Sequence, residues 1–385
     1  MSAPSWEDVR DLLTHTGEGH VSVSLPTHRG GRETEQDPVR LKNQLREAEE
    51  ELVRLGFRAP DAAAILEPGH RLLDDSAFWR ERSDGLALFL APAWSRIFRT
   101  PVGLEESVAT GTRFRIRPLL PVLWPDLRFS ILALSRHAAR LLSATRFTVR
   151  ELHVPDMPGG VAGLPGIVEA ERQLQSHVAS RRGESRAGGS VAYHGHGLAR
   201  DADDDRLLEY FRAVDGSISA ALRADGGPLV LAAVEHFVPL YREVTALPWV
   251  VDEAVAGSPE ELPDEELHRR AWDLVAPLAD RETEARLARY HERVAKGDAV
   301  HGLTTTLRSA LAARVDTLFL AVDGAVWGRY EDESGKARVH PERRPGDEDL
   351  LDRAAAETLR TGGTIVSLPR ERMPGREPVA ALLRY

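Results

Sequence analysis

The chain is 385 residues long, acidic with a formal net charge of −10, and carries no cysteine. Its length calls for two or three domains with cores of their own. Its charge argues against non-specific coating of nucleic acid while leaving room for local basic contacts, and the missing cysteine excludes disulfides, thiol catalysis, thiolate zinc sites and iron–sulfur clusters.

The elements read as follows in chain order. Trp6–Leu13 has the pattern of a short helix, and His20–Leu25 that of a strand with Val21, Val23 and Leu25 on one face. After the loop Pro26–Arg32, Asp37-Pro38 opens a helix, with Asp37 as N-cap and Pro38 at the first helical position. Leu41, Leu45, Ala48, Leu52 and Leu55 line one face of it, and Gly56 ends it. A second helix is expected over Pro60–Leu73, a hairpin from Gly85–Ala91 and Arg96–Arg99, and a strand over Arg113–Leu119. In that strand Arg113, Arg115 and Arg117 project together, as an RNA-facing strip or as an exposed face paired with acidic neighbours. These elements make an N-terminal α/β domain over 1–125.

A second domain is expected over 126–257. It starts with the hairpin Phe129–Leu134 and Ala139–Ser143, extended by Thr145–Val154. A glycine-punctuated stretch follows, with a polar helix near Val168–Ala179, then a strong helix over Asp203–Leu222 and a buried strand over Leu229–Ala233. Val238–Thr245 is a short helix or extension. A third domain over 258–385 would hold helices Glu260–Leu278, Arg281–Ala295 and Thr304–Ala313 and a hairpin of Thr317–Val322 with Ala325–Tyr330 around Asp323-Gly324. Helix Asp347–Arg360 and strands Thr364–Leu368 and Val379–Tyr385 complete it as an α/β/α sandwich. The fold class is α/β in three domains.

The glycine stretch carries Gly159-Gly160-Val161, Gly188-Gly189-Ser190 and His194-Gly195-His196-Gly197. Paired glycines permit positive φ and close backbone approach; they also make plain mobile surface loops. Arg181, Arg182, Arg186 and Arg200 can meet phosphates there. His194 and His196 could serve a metal, a flexible turn or an RNA contact, but no third ligand has a distinctive spacing, so no metal is expected. Asp203–Asp205 are read as charge complements to a helix N-terminus. A second basic surface comprises Thr27, His28, Arg29, Arg32, Arg40 and Lys42 beside a helix start, either a phosphate-holding site or a solvated loop. There is no P-loop, no dinucleotide fingerprint and no nucleophile elbow, so no cofactor is expected.

The order of these pieces resembles the archaeo-eukaryotic peptide release factor and Pelota superfamily, and more narrowly the bacterial archaeo-eukaryotic release factors. Three stretches carry the resemblance. They are Leu25–Gly30 through Gln36–Asn43; the hairpin Phe129–Leu142 with His194–Gly197 and Pro228–Ala232; and Asp316–Tyr330 with Asp347–Leu350, Gly362-Gly363 and Ala381–Tyr385. The resemblance implies an RNase H-like middle domain and an L7Ae-like C-terminal domain. In that superfamily a Gly-Gly-Gln loop places glutamine in the peptidyl-transferase centre. Here the residues after the glycine pairs are Val161 and Ser190.

What the resemblance implies is therefore a non-catalytic translation factor. It would bind the ribosome and its RNA at the A site in hibernation, protection or rescue, with a translational GTPase as a possible carrier. The alternatives are a peptidyl-tRNA hydrolase or release factor using a loop residue other than glutamine, and a nuclease or other enzyme on an RNase H-like fold. Hydrophobic residues at 42% and charged ones at 29% are ordinary for a soluble protein, and Met1–Asp8 lacks the plan of a signal peptide. A cytoplasmic location without membrane contact is the expectation.

Overall fold

Strict alternation decides the faces of the first sheet. Val21, Val23 and Leu25 of β1 (Thr16–Pro26) point the same way as Leu86, Leu88 and Leu90 of β2 (Gly85–Ala91). They pack on Leu41, Leu45 and Leu52 of helix Asp37–Arg54 and on Ile65 and Leu66 of helix Ala59–Asp74. With β3 (Trp94–Thr100) and β4 (Ser107–Arg113), the sheet is antiparallel throughout, in the order β3-β2-β1-β4. The structure is a computed structural model that describes residues 4–81, 83–124, 127–164, 196–225, 227–331 and 334–385.

Two expectations in this segment need correction. Asp37 is the first helical residue rather than the N-cap, which is Gln36, because its buried carboxylate is engaged by His28. The chain also leaves the sheet at Arg113 and forms a 3-10 turn at Arg117–Leu119. Arg115 and Arg117 are therefore not an exposed strip; they are 6% and 3% exposed. Buried guanidinium groups demand partners, and both Nε atoms donate to Asp349 Oδ2, at 3.1 and 3.0 Å.

The middle sheet uses the same period-2 logic on two faces. It comprises β5 (Phe129–Leu134), β6 (Ala139–Ala144), β7 (Val149–Leu152), β8 (Leu229–Ala233) and β9 (Val250–Ala256), in the order β7-β6-β5-β8-β9. The β5–β6 and β6–β7 pairs are antiparallel, and β5–β8 and β8–β9 are parallel. Leu132, Leu134, Leu229 and Leu231 face Leu207, Phe211, Val214 and Ile218 of helix His196–Asp225. Phe129, Ile131, Val230 and Ala232 face Leu267, Ala271 and Val275. Within the first of these cores, Asp215 Oδ1 accepts from Tyr241 Oη at 2.8 Å and Thr245 Oγ1 at 2.7 Å.

In the last segment, β10 (Ala299–His301), β11 (Val315–Ala321), β15 (Thr364–Leu368) and β16 (Val379–Leu383) form a sheet in the order β10-β16-β11-β15. One face packs on Trp124, Leu287 and Tyr290. Helices Leu303–Leu311 and Leu350–Arg360 pack on this sheet through buried Leu307, Leu351 and Ala354. The expected hairpin does not form. Both edges of β11 are taken, by β15 and β16, so β12 (Trp327–Glu331) joins β13 (Lys336–Val339) and β14 (Glu348–Asp349) in a separate small sheet. The two expected helices around residue 280 are one, Asp264–Val294, which continues through Pro277.

By internal packing the chain divides into residues 1–125 with 282–385, and residues 126–281. Each of the three sequence segments keeps a sheet of its own, and the α/β class holds. The middle unit runs past 257 because Leu267, Ala271 and Val275 close its core. Among the described residues, no helix is long and apolar enough to cross a membrane.

Candidate functional site

The loop after β1 is held by buried anchors. Thr27 Oγ1 donates to the Ser83 carbonyl at 2.9 Å, and Thr27 N donates to the Asp84 carbonyl at 2.9 Å. His28 N donates to Asp37 Oδ2 at 2.9 Å, and His28 Nδ1 lies 2.8 Å from Asp37 Oδ1. His28 Nε2 is 3.3 Å from Glu33 Oε2. Arg29 meets both oxygens of Asp84, at 2.9 Å each.

This arrangement divides the basic surface expected from the sequence. Thr27 and His28 serve the loop's own architecture, and Arg29 has an acidic partner. A phosphate at the start of helix Asp37–Arg54 would meet the carboxylates of Glu33 and Asp37. Arg32, Arg40 and Lys42 remain: Arg32 and Lys42 are exposed and Arg40 is half-buried. Among the described residues none of the three has a side-chain ion pair. They are the part of this surface able to meet an RNA backbone. Sequence reading missed the anchors, because Ser83 and Asp84 stand 55 or more positions from their partners.

The glycine stretch is docked at its start. Gly160 has φ +92, and a Cβ there would lie 2.5 Å from the His137 carbonyl oxygen. Val161 N donates to Arg136 O at 2.9 Å, and Leu164 is buried in the middle core. Gly159, in contrast, has open space around it. The same Arg136 uses its side chain on the following helix: Nη1 donates to Asp203 Oδ2 at 2.8 Å, and Nη2 also bonds this carboxylate. That hydrogen bonding, helped by the guanidinium charge, holds the Asp203 carboxyl below the usual range against weak desolvation. Asp204 Oδ1 pairs with His236 Nε2 at 2.8 Å. Because the helix starts at His196, Asp203–Asp205 lie within it and do not complement its N-terminus.

Arg181, Arg182, Arg186, Gly188, Gly189, His194 and Gly195 lie outside the described residues, as does the helix expected near 168–179. His196, Gly197 and Arg200 fall in the described backbone of helix His196–Asp225, but their side chains lie outside it. Among the described residues, no cluster of three or more His, Asp or Glu side chains could hold a metal ion.

Residues 128–314 match the family model of Bacterial archaeo-eukaryotic release factor family 3. No curated protein matches the chain. Among solved structures, Pelota of Archaeoglobus fulgidus is 13% identical, with 100% of this chain and 94% of that one covered and a TM-score of 0.31. The model of ribosome-bound archaeal Pelota and ABCE1 gives 12% identity, 100% and 95% coverage and a TM-score of 0.37. Dom34 of S. cerevisiae, described as interacting with Hbs1, gives 8%, 100% and 92%, and 0.34. Over residues 128–314 the chain is thus similar to the bacterial archaeo-eukaryotic release factor family.

Proposed function

We propose that this protein is a non-catalytic, release-factor-like translation factor that binds the ribosomal A site in the cytoplasm, in hibernation, protection or rescue. A translational GTPase as carrier and RNase H-like and L7Ae-like second and third domains belong to the same reading. The observation that carries it is the pairing of the family match over residues 128–314 with glycine pairs that lead into Val161 and Ser190 rather than glutamine. Peptide release needs a polar group presented at the reacting ester. Val161 offers an aliphatic side chain, and its backbone N–H is bonded to Arg136 O. The middle sheet order, with an antiparallel hairpin followed by parallel strands, supports the RNase H-like assignment.

Polysome-gradient sedimentation of tagged protein from growing and starved cells tests this reading. Co-migration with ribosomal particles is expected, together with no peptide release from a stalled complex. Release activity abolished by changes in the 187–200 stretch would favour a peptidyl-tRNA hydrolase instead. Absence from ribosomal fractions in every growth state would overturn the proposal.

A further inference from the structure

The unit formed by residues 1–125 and 282–385 contains a cleft of about 420 Å³. One wall is the edge strand β4 and the chain after it, and the other is β12, β14 and helix Leu350–Arg360. The volume lies within the range of small-molecule sites. Neither the basic loop nor the glycine stretch contributes to it.

The cleft is lined by as many carboxylates as arginines, but the two are not equally reachable. The Asp349 side chain is 1% exposed and spends its Oδ2 on Arg115 and Arg117. Asp347 is 0% exposed at its side chain, accepts from His340 Nδ1 and Arg344 N, and has Arg329 Nε 3.4 Å from its Oδ1, while the Arg329 side chain stays more than half exposed. Asp352 accepts from Arg117 N. Arginines reach the open space instead: the side chains of Arg113, Arg329 and Arg360 are 33%, 58% and 51% exposed. Arg113 and Arg360 converge with Arg353 on a single carboxylate, Glu357, at 2.8, 3.3 and 3.2 Å, so three guanidinium groups share it, of which Arg353 also reaches Glu348. The accessible carboxylates lining the cleft are Glu348, which Arg353 pairs at 3.3 Å, and Glu18. Half-buried Phe57, Trp327 and Tyr330 add aromatic surface, whereas Phe114 is buried among other rings.

The geometry points to a binding site for a mononucleotide, its phosphate held by Arg113, Arg329 and Arg360 and its base placed against the aromatic side chains. Guanidinium groups suit phosphate because they offer a planar fork of donors. An aromatic face accepts any of the bases by stacking. The inference is independent of the proposed ribosome binding, which is assigned to residues outside this cleft.

Calorimetric titration of the full chain with adenosine, guanosine, cytidine and uridine 5′-monophosphates tests it, beside the nucleosides, inorganic phosphate and a single-stranded RNA hexamer. At least one mononucleotide should bind at one per chain. Its nucleoside and inorganic phosphate should each bind at least tenfold more weakly. Arg360→Ala and Arg329→Ala should each weaken binding fivefold or more without lowering the melting temperature, since both side chains are about half exposed. Arg46→Ala, on helix Asp37–Arg54 and away from the cleft, should have no effect. No binding at millimolar nucleotide would overturn the inference. So would affinity untouched by both cleft variants, phosphate binding as tightly as nucleotide, or preference for the RNA hexamer.

Discussion

Arg117 N donates to Asp352 Oδ1 at 2.6 Å, joining the 3-10 turn after β4 to the first turn of helix Leu350–Arg360. Burial, with the Asp349 charge beside it, pushes the Asp352 carboxyl up to about 7 from its ordinary 3.8. A raised value means that the folded state holds this proton more tightly than the unfolded chain. Its stabilising contribution is full below about pH 4, falls as pH rises, and is gone above about pH 7.

Asn at this position keeps the carbonyl acceptor and cannot ionise. Asp352→Asn should therefore match the parent protein near pH 4 and exceed it at pH 8. A gain of at least about 1 kcal/mol is expected, because each tenfold difference in proton affinity between the folded and unfolded chain is worth about 1.4 kcal/mol. Urea midpoints at both pH values check this. A difference between the two proteins that does not change with pH would show that Asp352 stays ionised.

Asp349 carries the opposite risk. Its Oδ2 is shared by Arg115 and Arg117, and its Oδ1 caps Leu351 N at 3.2 Å. Asp349→Ala leaves two buried guanidinium groups without this partner and removes the helix cap. A loss of about 3–5 kcal/mol is expected. Replacing exposed Glu50, 4.0 Å from Arg46, should change stability by less than about 1 kcal/mol. Chemical denaturation of the two variants side by side makes the comparison.

These buried pairs mark the limit of what the chain reveals before folding. The alternation Arg113, Arg115, Arg117 looks like a solvated face because Asp349 is more than 230 positions away. β5 and β8 were legible because their residues alternate between two apolar cores. β9 was not, since Asp252 and Glu253 interrupt its pattern on a sheet edge with exposed residues. Asp323-Gly324 suggested a hairpin, but pairing of β11 with β15 and β16 depends on residues far along the chain. In the site, the glycine pairs and basic residues could be located by sequence. The anchors that decide which of them stay available could not, because Asp37 and Asp84 act through tertiary contacts.

Gly160 offers a direct test of the docked glycine stretch. A methyl group there would meet the His137 carbonyl at 2.5 Å, and its φ of +92 suits glycine. Gly160→Ala should cost about 1–3 kcal/mol, while Gly159→Ala, with open space around it, should change stability little. Val161→Gln would recreate a Gly-Gly-Gln sequence, yet its backbone stays tied to Arg136. No peptide release is expected from that variant in a stalled-ribosome assay. Release at a measurable rate would mean that the glycine pair undocks on the ribosome.

Ribosome association should depend on the basic groups that the fold leaves available. Arg32, Arg40 and Lys42 have no side-chain ion pair among the described residues, whereas Arg29 is held by both oxygens of Asp84. Each phosphate contact contributes roughly one to the slope of log affinity against log salt. Replacing Arg32, Arg40 and Lys42 together by Ala should weaken ribosome binding and reduce that slope by up to about 3. Arg29→Ala should have a smaller effect, because this guanidinium is already paired with the Asp84 carboxylate. A second triple variant, Arg181, Arg182 and Arg186 to Ala, should weaken binding in the same direction. Co-sedimentation at several salt concentrations measures all three. If the first triple variant binds with unchanged affinity and slope while the second loses binding, RNA contact resides in the glycine stretch and the loop after β1 is structural. If neither triple moves the slope, the protein does not meet ribosomal RNA through these surfaces.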